Sequence, residues 1–377
     1  MKKYISAVLM LLIIFLNVPI CRAVSVSAVS AVVVDAFSGR VIFEKNANQK
    51  MSMASTTKIM TALCAIENSE LDKVVKIHPS AVGVEGSSIY LKHGEHLTIR
   101  ELVYGLMLSS GNDAAVAIAY AVSGSVEKFA ELMNETARKI GVKNTSFKNP
   151  NGLDEENHYT TAYDLATITA YALNNEEFKK IASTYEKTIS YEGYSYNRHL
   201  RNHNKLLKMY KGCIGVKTGF TKKSGRCLVS AAERDGVTLV AVTLKAPDDW
   251  NDHMRMLDFG FQKTCSENIL KKDEYLKTLS VKKGMSKTVK AVCAEDVNIT
   301  KIDGMENNVT LKYNIKRNTT APVSYRQKVG TVGIYLNGKH ICNVDALCES
   351  VVKKDNRKTL KRSASLIFSE FVRLRFY

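Results

Sequence analysis

The sequence predicts an α+β fold: an antiparallel sheet with a helical subdomain, followed by a small all-β domain. Three observations predict it. Strand-and-turn signals stand at both ends of the first part, helical periodicity fills its middle, and strict alternation of apolar and polar residues governs the last part. A chain of 377 residues is long enough for two cores. The expected divisions are a leader at 1–23, a first domain at 24–268, a small β domain at 269–345 and a tail at 346–377.

The leader reads as an export signal. Lys2 and Lys3 open it, residues 5–16 are almost entirely apolar, and Cys21-Arg22-Ala23 offers a cleavage site. An uncleaved anchor is the other reading, but the apolar run is short for a spanning helix. A β-branched run at 31–35, the turn Phe37-Ser38-Gly39-Arg40 and the return Val41-Ile42-Phe43 make a hairpin. Residues 56–67 follow a helical period, with Ile59, Met60, Leu63 and Ile66 on one side and Ser55 at the N-terminal edge. Two apolar helical stretches within 100–122 flank a break at Ser109-Ser110-Gly111-Asn112. Helices at 127–140 and 162–173 surround the loop Asn149-Pro150-Asn151-Gly152.

Beyond Gly215 the pattern changes to strands, with 227–230 and 238–242 joined by the turn signal Arg234-Asp235-Gly236. A helix at 254–261 closes the first domain, and composition shifts near 265–272. Val309, Leu311, Tyr313 and Ile315 then alternate with polar residues, and Val332, Ile334 and Leu336 run into Asn337-Gly338. In the tail, Leu360, Ala364, Ile367, Phe368, Phe371 and Leu374 share one helical face, amid eight lysines and arginines from Lys353 to Arg375. Such a helix favours an anionic membrane surface, with docking on its own domain as the other reading.

The net charge of +17 favours an anionic partner. Export and the lack of zinc-finger spacing or an arginine-rich arm exclude nucleic acid. Eight cysteines include Cys21 in the leader, so an odd seven follow it, with no C-x-x-C pair. Cys213 and Cys227 flank Lys217-Thr218-Gly219 and could face each other across a hairpin. His93 and His96 lack the helical H-E-x-x-H arrangement and are expected to be surface loop residues, not metal ligands.

Three strings stand in the order a serine acyl-enzyme needs: Ser55-Thr56-Thr57-Lys58, Ser110-Gly111-Asn112 and Lys217-Thr218-Gly219. Each pattern alone is weak. S-x-x-K also occurs at Ser125 with Lys128, Ser280 with Lys283 and Ser350 with Lys353, S-x-N recurs at Ser195 and Ser266, and Lys223-Ser224-Gly225 is a second K-[ST]-G. Context separates them. Only Ser55 opens a long apolar helix, where one turn brings the Lys58 amine under the hydroxyl. Ser110 and Asn112 lie between two buried helices, and Lys217 begins a strand-rich hairpin.

With these strings, the chain resembles the D-alanyl-D-alanine carboxypeptidases, low-molecular-mass penicillin-binding proteins. The likeness runs from Val32-Val33-Val34-Asp35 through Ala54-Ser55-Thr56-Thr57-Lys58-Ile59-Met60-Thr61, Asn149-Pro150-Asn151-Gly152-Leu153, Thr161-Ala162-Tyr163-Asp164-Leu165-Ala166 and Gly215-Val216-Lys217-Thr218-Gly219-Phe220-Thr221. It spans roughly residues 30–345. The resemblance implies a penicillin-binding/β-lactamase-like catalytic domain, peptidoglycan stem peptides as substrates, β-lactams as inhibitors, and no metal or cofactor. It casts Ser55 as the nucleophile, Lys58 as the base, Ser110 as a proton relay and Asn112 as an orienting group. Lys217 and Thr218 would hold the terminal carboxylate, Gly219 and Phe220 would complete the substrate-binding set, and the backbone N–H groups of Ser55 and Phe220 would form the oxyanion hole. Two departures stand out: Pro247-Asp248-Asp249-Trp250-Asn251-Asp252-His253 stands where many relatives carry an arginine shortly before the final helix, and Asn151 replaces a frequent histidine.

A β-lactamase of class A would need an E-x-x-L-N loop, and Asp154-Glu155-Glu156-Asn157-His158 does not match it. A transpeptidase remains an alternative, since an amine can replace water. A non-catalytic wall-binding or membrane-scaffold protein would keep the fold and lose part of the constellation, yet every motif position is present. The expected location is the outer face of the cytoplasmic membrane or the extracellular space.

Overall fold

A computed structural model describes residues 24–194 and 197–373, so the leader lies outside the described residues. Strands β1 (Ser30–Asp35) and β2 (Val41–Lys45) form the first hairpin. A single 3-10 turn (Ala54–Thr57) then runs directly into helix α1 (Lys58–Asn68). Short strands β3 (Val74–Lys76) and β4 (His96–Thr98) pair ahead of α2 (Ile99–Leu108), α3 (Asn112–Ser123) and α4 (Val126–Ile140). Capping chemistry fixes where these helices begin. Thr98 and Glu101 make a reciprocal capping box on α2, and Ser125 accepts the Lys128 N–H at the start of α4.

Helices α5 (Ala162–Leu173) and α6 (Glu176–Ser183) follow, then the hairpin β5 (Glu186–Ile189) and β6 (Arg198–Arg201) and the one-turn α7 (Leu206–Met209). Strands β7 (Cys213–Thr221), β8 (Gly225–Arg234) and β9 (Val237–Leu244) and helix α8 (Asp249–Gln262) complete the first domain. The sheet order is β2-β1-β9-β8-β7, antiparallel throughout, which leaves β7 as an edge. One face packs Val33, Leu228 and Leu239 against Met256 and Leu257 of α8. The other packs Val32, Val216 and Val240 against α1 and α5. Apolar cover on both faces explains why β9 is apolar at nearly every position instead of alternating.

Periodicity predicts a one-sided α1, but every residue from Lys58 to Ala65 is buried. Helices α2 to α6 and strand β7 all contact it. A helix enclosed by five others has almost no solvent face, and only its last turn, from Ile66 to the exposed Glu67 and Asn68, reaches the surface.

The C-terminal part is all β. Strand β10 (Thr264–Leu270) pairs with β13 (Val297–Ile302). Six strands form the larger sheet: β11 (Tyr275–Lys282), β12 (Thr288–Cys293), β14 (Val309–Ile315), β15 (Asn318–Thr320), β16 (Lys328–Leu336) and β17 (Lys339–Cys348). The Thr300 hydroxyl donates to Asp35 at 2.6 Å and Arg40 Nη1 donates to Asn307 at 2.8 Å, tying this part to the first hairpin. Helix α9 (Arg357–Arg373) ends the described chain, with residues 364–373 all exposed. Among the described residues, no helix is long and apolar enough to cross a membrane.

Candidate active site

The site is built around the entrance to α1. Ser55 lies in the 3-10 turn, half-buried, and the preceding Ala54 holds a φ of 48°. Such a backbone costs a non-glycine residue about 1–3 kcal/mol and persists only where the surroundings impose it. One constraint is the loop Asn149-Pro150-Asn151-Gly152. A Cβ at Gly152 would sit 2.0 Å from the Ala54 carbonyl oxygen, so only glycine allows that approach. Asn149 shapes the loop by accepting the Gly152 N–H at 2.8 Å.

Lys58, one turn beyond Ser55, has no solvent exposure. Its Nζ lies 2.8 Å from Ser55 Oγ, 2.6 Å from Asn112 Oδ1 and 2.6 Å from the Asn151 carbonyl oxygen. Burial, reinforced by the positive charge of Lys217, holds its pKa well below the usual lysine range against the opposing charge of Asp113. Asn112 opens α3 and is itself fixed, its N–H donating to the Ser87 carbonyl at 2.7 Å and its Nδ2 to the Glu85 carbonyl at 2.5 Å. Ser110 turns the chain between α2 and α3 at a φ of 59° and is 4% exposed. Among the described residues its hydroxyl makes no direct hydrogen bond to Ser55 or Lys58; the two serines share the cleft instead.

Strand β7 brings the third string. Lys217 is fully buried, its pKa pushed down to about 7 by that burial, and its Nζ donates to the Thr218 carbonyl at 3.1 Å. Thr218 and Gly219 are half-buried and Phe220 is exposed. A Cβ at Gly219 would lie 3.0 Å from the Ser55 nitrogen, so a glycine here lets the edge strand lie beside the turn. The cleft between them holds about 340 Å³. Ser55, Ser110, Thr218, Gly219 and Phe220 line it together with His203, Arg226, Asp249 and Trp250. A larger groove of about 660 Å³, around Val26 and Arg255, lies apart from all three strings.

Five of the eight residues singled out from the sequence line one cleft, Lys58 and Asn112 join them through the hydrogen bonds behind Ser55, and Lys217 precedes Thr218 on the same strand. The competing matches have structural uses. Ser125 caps a helix, Ser280 sits within β11, and Ser224 closes the β7–β8 turn through Thr221. Cys213 pairs opposite Ala232 and Cys227 opposite Gly219, so the two do not face each other, and all seven described cysteines are free thiols. His96 lies in β4 and pairs with Glu192 at 3.2 Å.

Sequence reasoning missed the Asn151 carbonyl, a backbone acceptor that no side-chain motif reveals. It also missed Asp113, whose carboxylate collects the N–H groups of Ile89 and Leu91 and the Ser88 hydroxyl to fix the loop above Asn112. His203, Arg226 and Trp250 went unmarked because their segments approach the cleft only in three dimensions.

Known proteins resemble this chain over most of its length. The sequence model of the D-alanyl-D-alanine carboxypeptidase family matches residues 18–248, and that of the penicillin-binding protein 5 C-terminal domain matches 266–354. The D-alanyl-D-alanine carboxypeptidase DacF of Bacillus subtilis is 35% identical over 87% of this chain and 86% of its own length. DacC of Escherichia coli, of the same description, is 33% identical over 85% and 83%. The crystal structure of penicillin binding protein 5 from Haemophilus influenzae covers 88% of this chain and 98% of its own, with a TM-score of 0.63 and 29% identity.

Proposed function

We propose a mechanism from one premise: the chain belongs to the D-alanyl-D-alanine carboxypeptidase family and is a serine-type hydrolase of that activity. The Ser55 hydroxyl attacks the carbonyl carbon of the penultimate D-alanine, and its proton passes to Lys58. The observation that carries this reading is the Lys58 Nζ to Ser55 Oγ contact of 2.8 Å. A neutral amine has two hydrogens and one lone pair. Asn112 Oδ1 and the Asn151 carbonyl take the hydrogens, which leaves the lone pair for the serine proton.

The tetrahedral oxyanion is held by the backbone N–H groups of Ser55 and Phe220, where one such donor contributes about 3 kcal/mol. As the C–N bond breaks, Ser110 returns a proton to the leaving D-alanine amine. Lys217 and Thr218 hold the terminal carboxylate, which accounts for attack at a free C-terminus. Water then hydrolyses the ester on Ser55 and releases the shortened stem peptide. β-Lactams present the same amide and carboxylate and are trapped at the ester stage.

The reading extends to location. The apolar leader exports the chain, and α9 rests on the outer face of the cytoplasmic membrane, as its exposed Leu366, Ile367 and Phe368 and its basic composition favour. The test is release of D-alanine from a peptide ending in Lys-D-Ala-D-Ala, paired with intact mass after penicillin treatment. We expect one adduct per chain, absent in Ser55→Ala. An adduct that persists in that variant moves the nucleophile elsewhere.

A further inference from the structure

A substrate defined by a free C-terminus needs a cation that stays charged and has donors to spare. The two lysines beside the cleft meet this only in part. Lys58 is committed to Ser55, Asn112 and Asn151. Lys217 is buried and turned to the Thr218 carbonyl, its pKa pushed down to about 7 by that burial. The same cleft is lined by a third cation, Arg226. Its guanidinium is a planar cation with five donors in a fixed fork, suited to a carboxylate.

Arg226 stands on β8 directly opposite Phe220, the residue that follows Gly219. Neighbouring strands lie about 4.8 Å apart, a span an extended arginine side chain covers. Its Nε and Nη2 both go to one oxygen of Asp249, at 3.0 and 2.9 Å, and that oxygen also accepts the Trp250 N–H at 3.0 Å. This is not the two-oxygen fork that makes arginine–carboxylate pairs strong. The arginine side chain stays 45% exposed although Asp249 is almost wholly buried, and its guanidinium lies 5.9 Å from the Trp250 ring centre. Asp249 and Trp250 open α8 and line the cleft with it. The arrangement parks a permanent cation beside the carboxylate site without saturating it.

We infer that Arg226 reads the terminal carboxylate of the substrate, binding it together with Lys217 and Thr218 while Asp249 holds the guanidinium in place. The inference deepens the proposed carboxypeptidase reading and rests on it. Arg226 is a specificity residue: it binds the carboxylate and takes no proton.

The test compares two peptides, one ending in D-Ala-D-Ala and one with the same sequence as a C-terminal amide, in wild type, Arg226→Ala and Arg226→Lys. The measured quantity is the ratio of kcat/KM for the acid over the amide. Replacing a charge-assisted pair is expected to lower that ratio roughly tenfold to a hundredfold in Arg226→Ala, mainly through KM. Arg226→Lys should keep part of the preference. If Arg226→Ala does not fold, Arg226→Gln preserves a hydrogen bond to Asp249 without the charge and should show the same loss. A ratio unchanged in the Ala or Gln variant, whatever the absolute rates, overturns the inference. Wild-type protein that hydrolyses neither peptide and takes no penicillin adduct sinks the carboxypeptidase reading and this inference with it.

Discussion

Lys58 and Lys217 are both buried, and the charge of Lys217 adds to burial in holding down the pKa of Lys58. Their different depths of commitment make a pH prediction. Lys58 is the proposed base, its pKa lowered by burial and by Lys217; as pH falls through that lowered pKa it gains a proton and acylation should slow. Lys217 is charged below about 7 and loses its charge as pH rises through that value, so KM for carboxylate substrates should climb on the alkaline side. Lys58→Ala should abolish acylation. Lys217→Ala should remove the alkaline rise in KM and, by deleting a neighbouring cation, move the acid limb to higher pH. Penicillin acylation rates and peptide KM values across the pH range check both, and an acid limb unmoved in Lys217→Ala would contradict the coupling. The sequence named this lysine pair because S-x-x-K on a helix start and K-T-G on a strand start are side-chain patterns. It was silent on the Asn151 carbonyl, which contributes only backbone.

At the scale of elements, Ser55, the proposed nucleophile, depends on a loop from another part of the chain. Gly152 has a φ of 86° and lies under the Ala54 carbonyl, so Gly152→Ala is both conformationally strained and sterically blocked. The expected cost is about 1–3 kcal/mol or more in stability, with a larger proportional loss in acylation because the turn carrying Ser55 must move. Denaturant midpoints and acylation rates of the purified variant measure the two effects. Wild-type values for both would mean the loop does not brace the turn. Asn149-Pro150-Asn151-Gly152 was legible as a loop from its turn chemistry, but its partner was not, since about ninety residues separate them. Short elements were also hidden. Helix α6 spans only Glu176–Ser183 and the β5–β6 hairpin uses strands of four residues, too brief for a period to emerge. Helix α8 begins at Asp249, ahead of the expected 254, because Asp248, Asp249 and Asp252 mask an N-terminal turn in which acidic residues are favoured.

At the scale of the whole molecule, the catalytic cleft, the β domain and α9 follow one another along the chain, and the charge is not confined to the cleft. Residues Leu366, Ile367, Phe368 and Val372 are exposed on a helix that ends a strongly basic segment. Exposed apolar side chains in that number need a partner to leave water. An anionic lipid surface supplies both an apolar interface and, through its charge, attraction of roughly 1 kcal/mol for each nearby lysine or arginine. The helix is too charged to leave the interface for the bilayer core, so it should lie flat. Deleting residues 351–377 should therefore yield an enzyme that still hydrolyses small peptides and still takes one penicillin adduct, because no residue of the cleft is removed. It should no longer sediment with vesicles containing anionic lipid, and the full-length protein should be released from them by high salt more readily than a spanning protein would be. Equal sedimentation of the two forms would place the membrane contact elsewhere, on the basic surface of the folded domains.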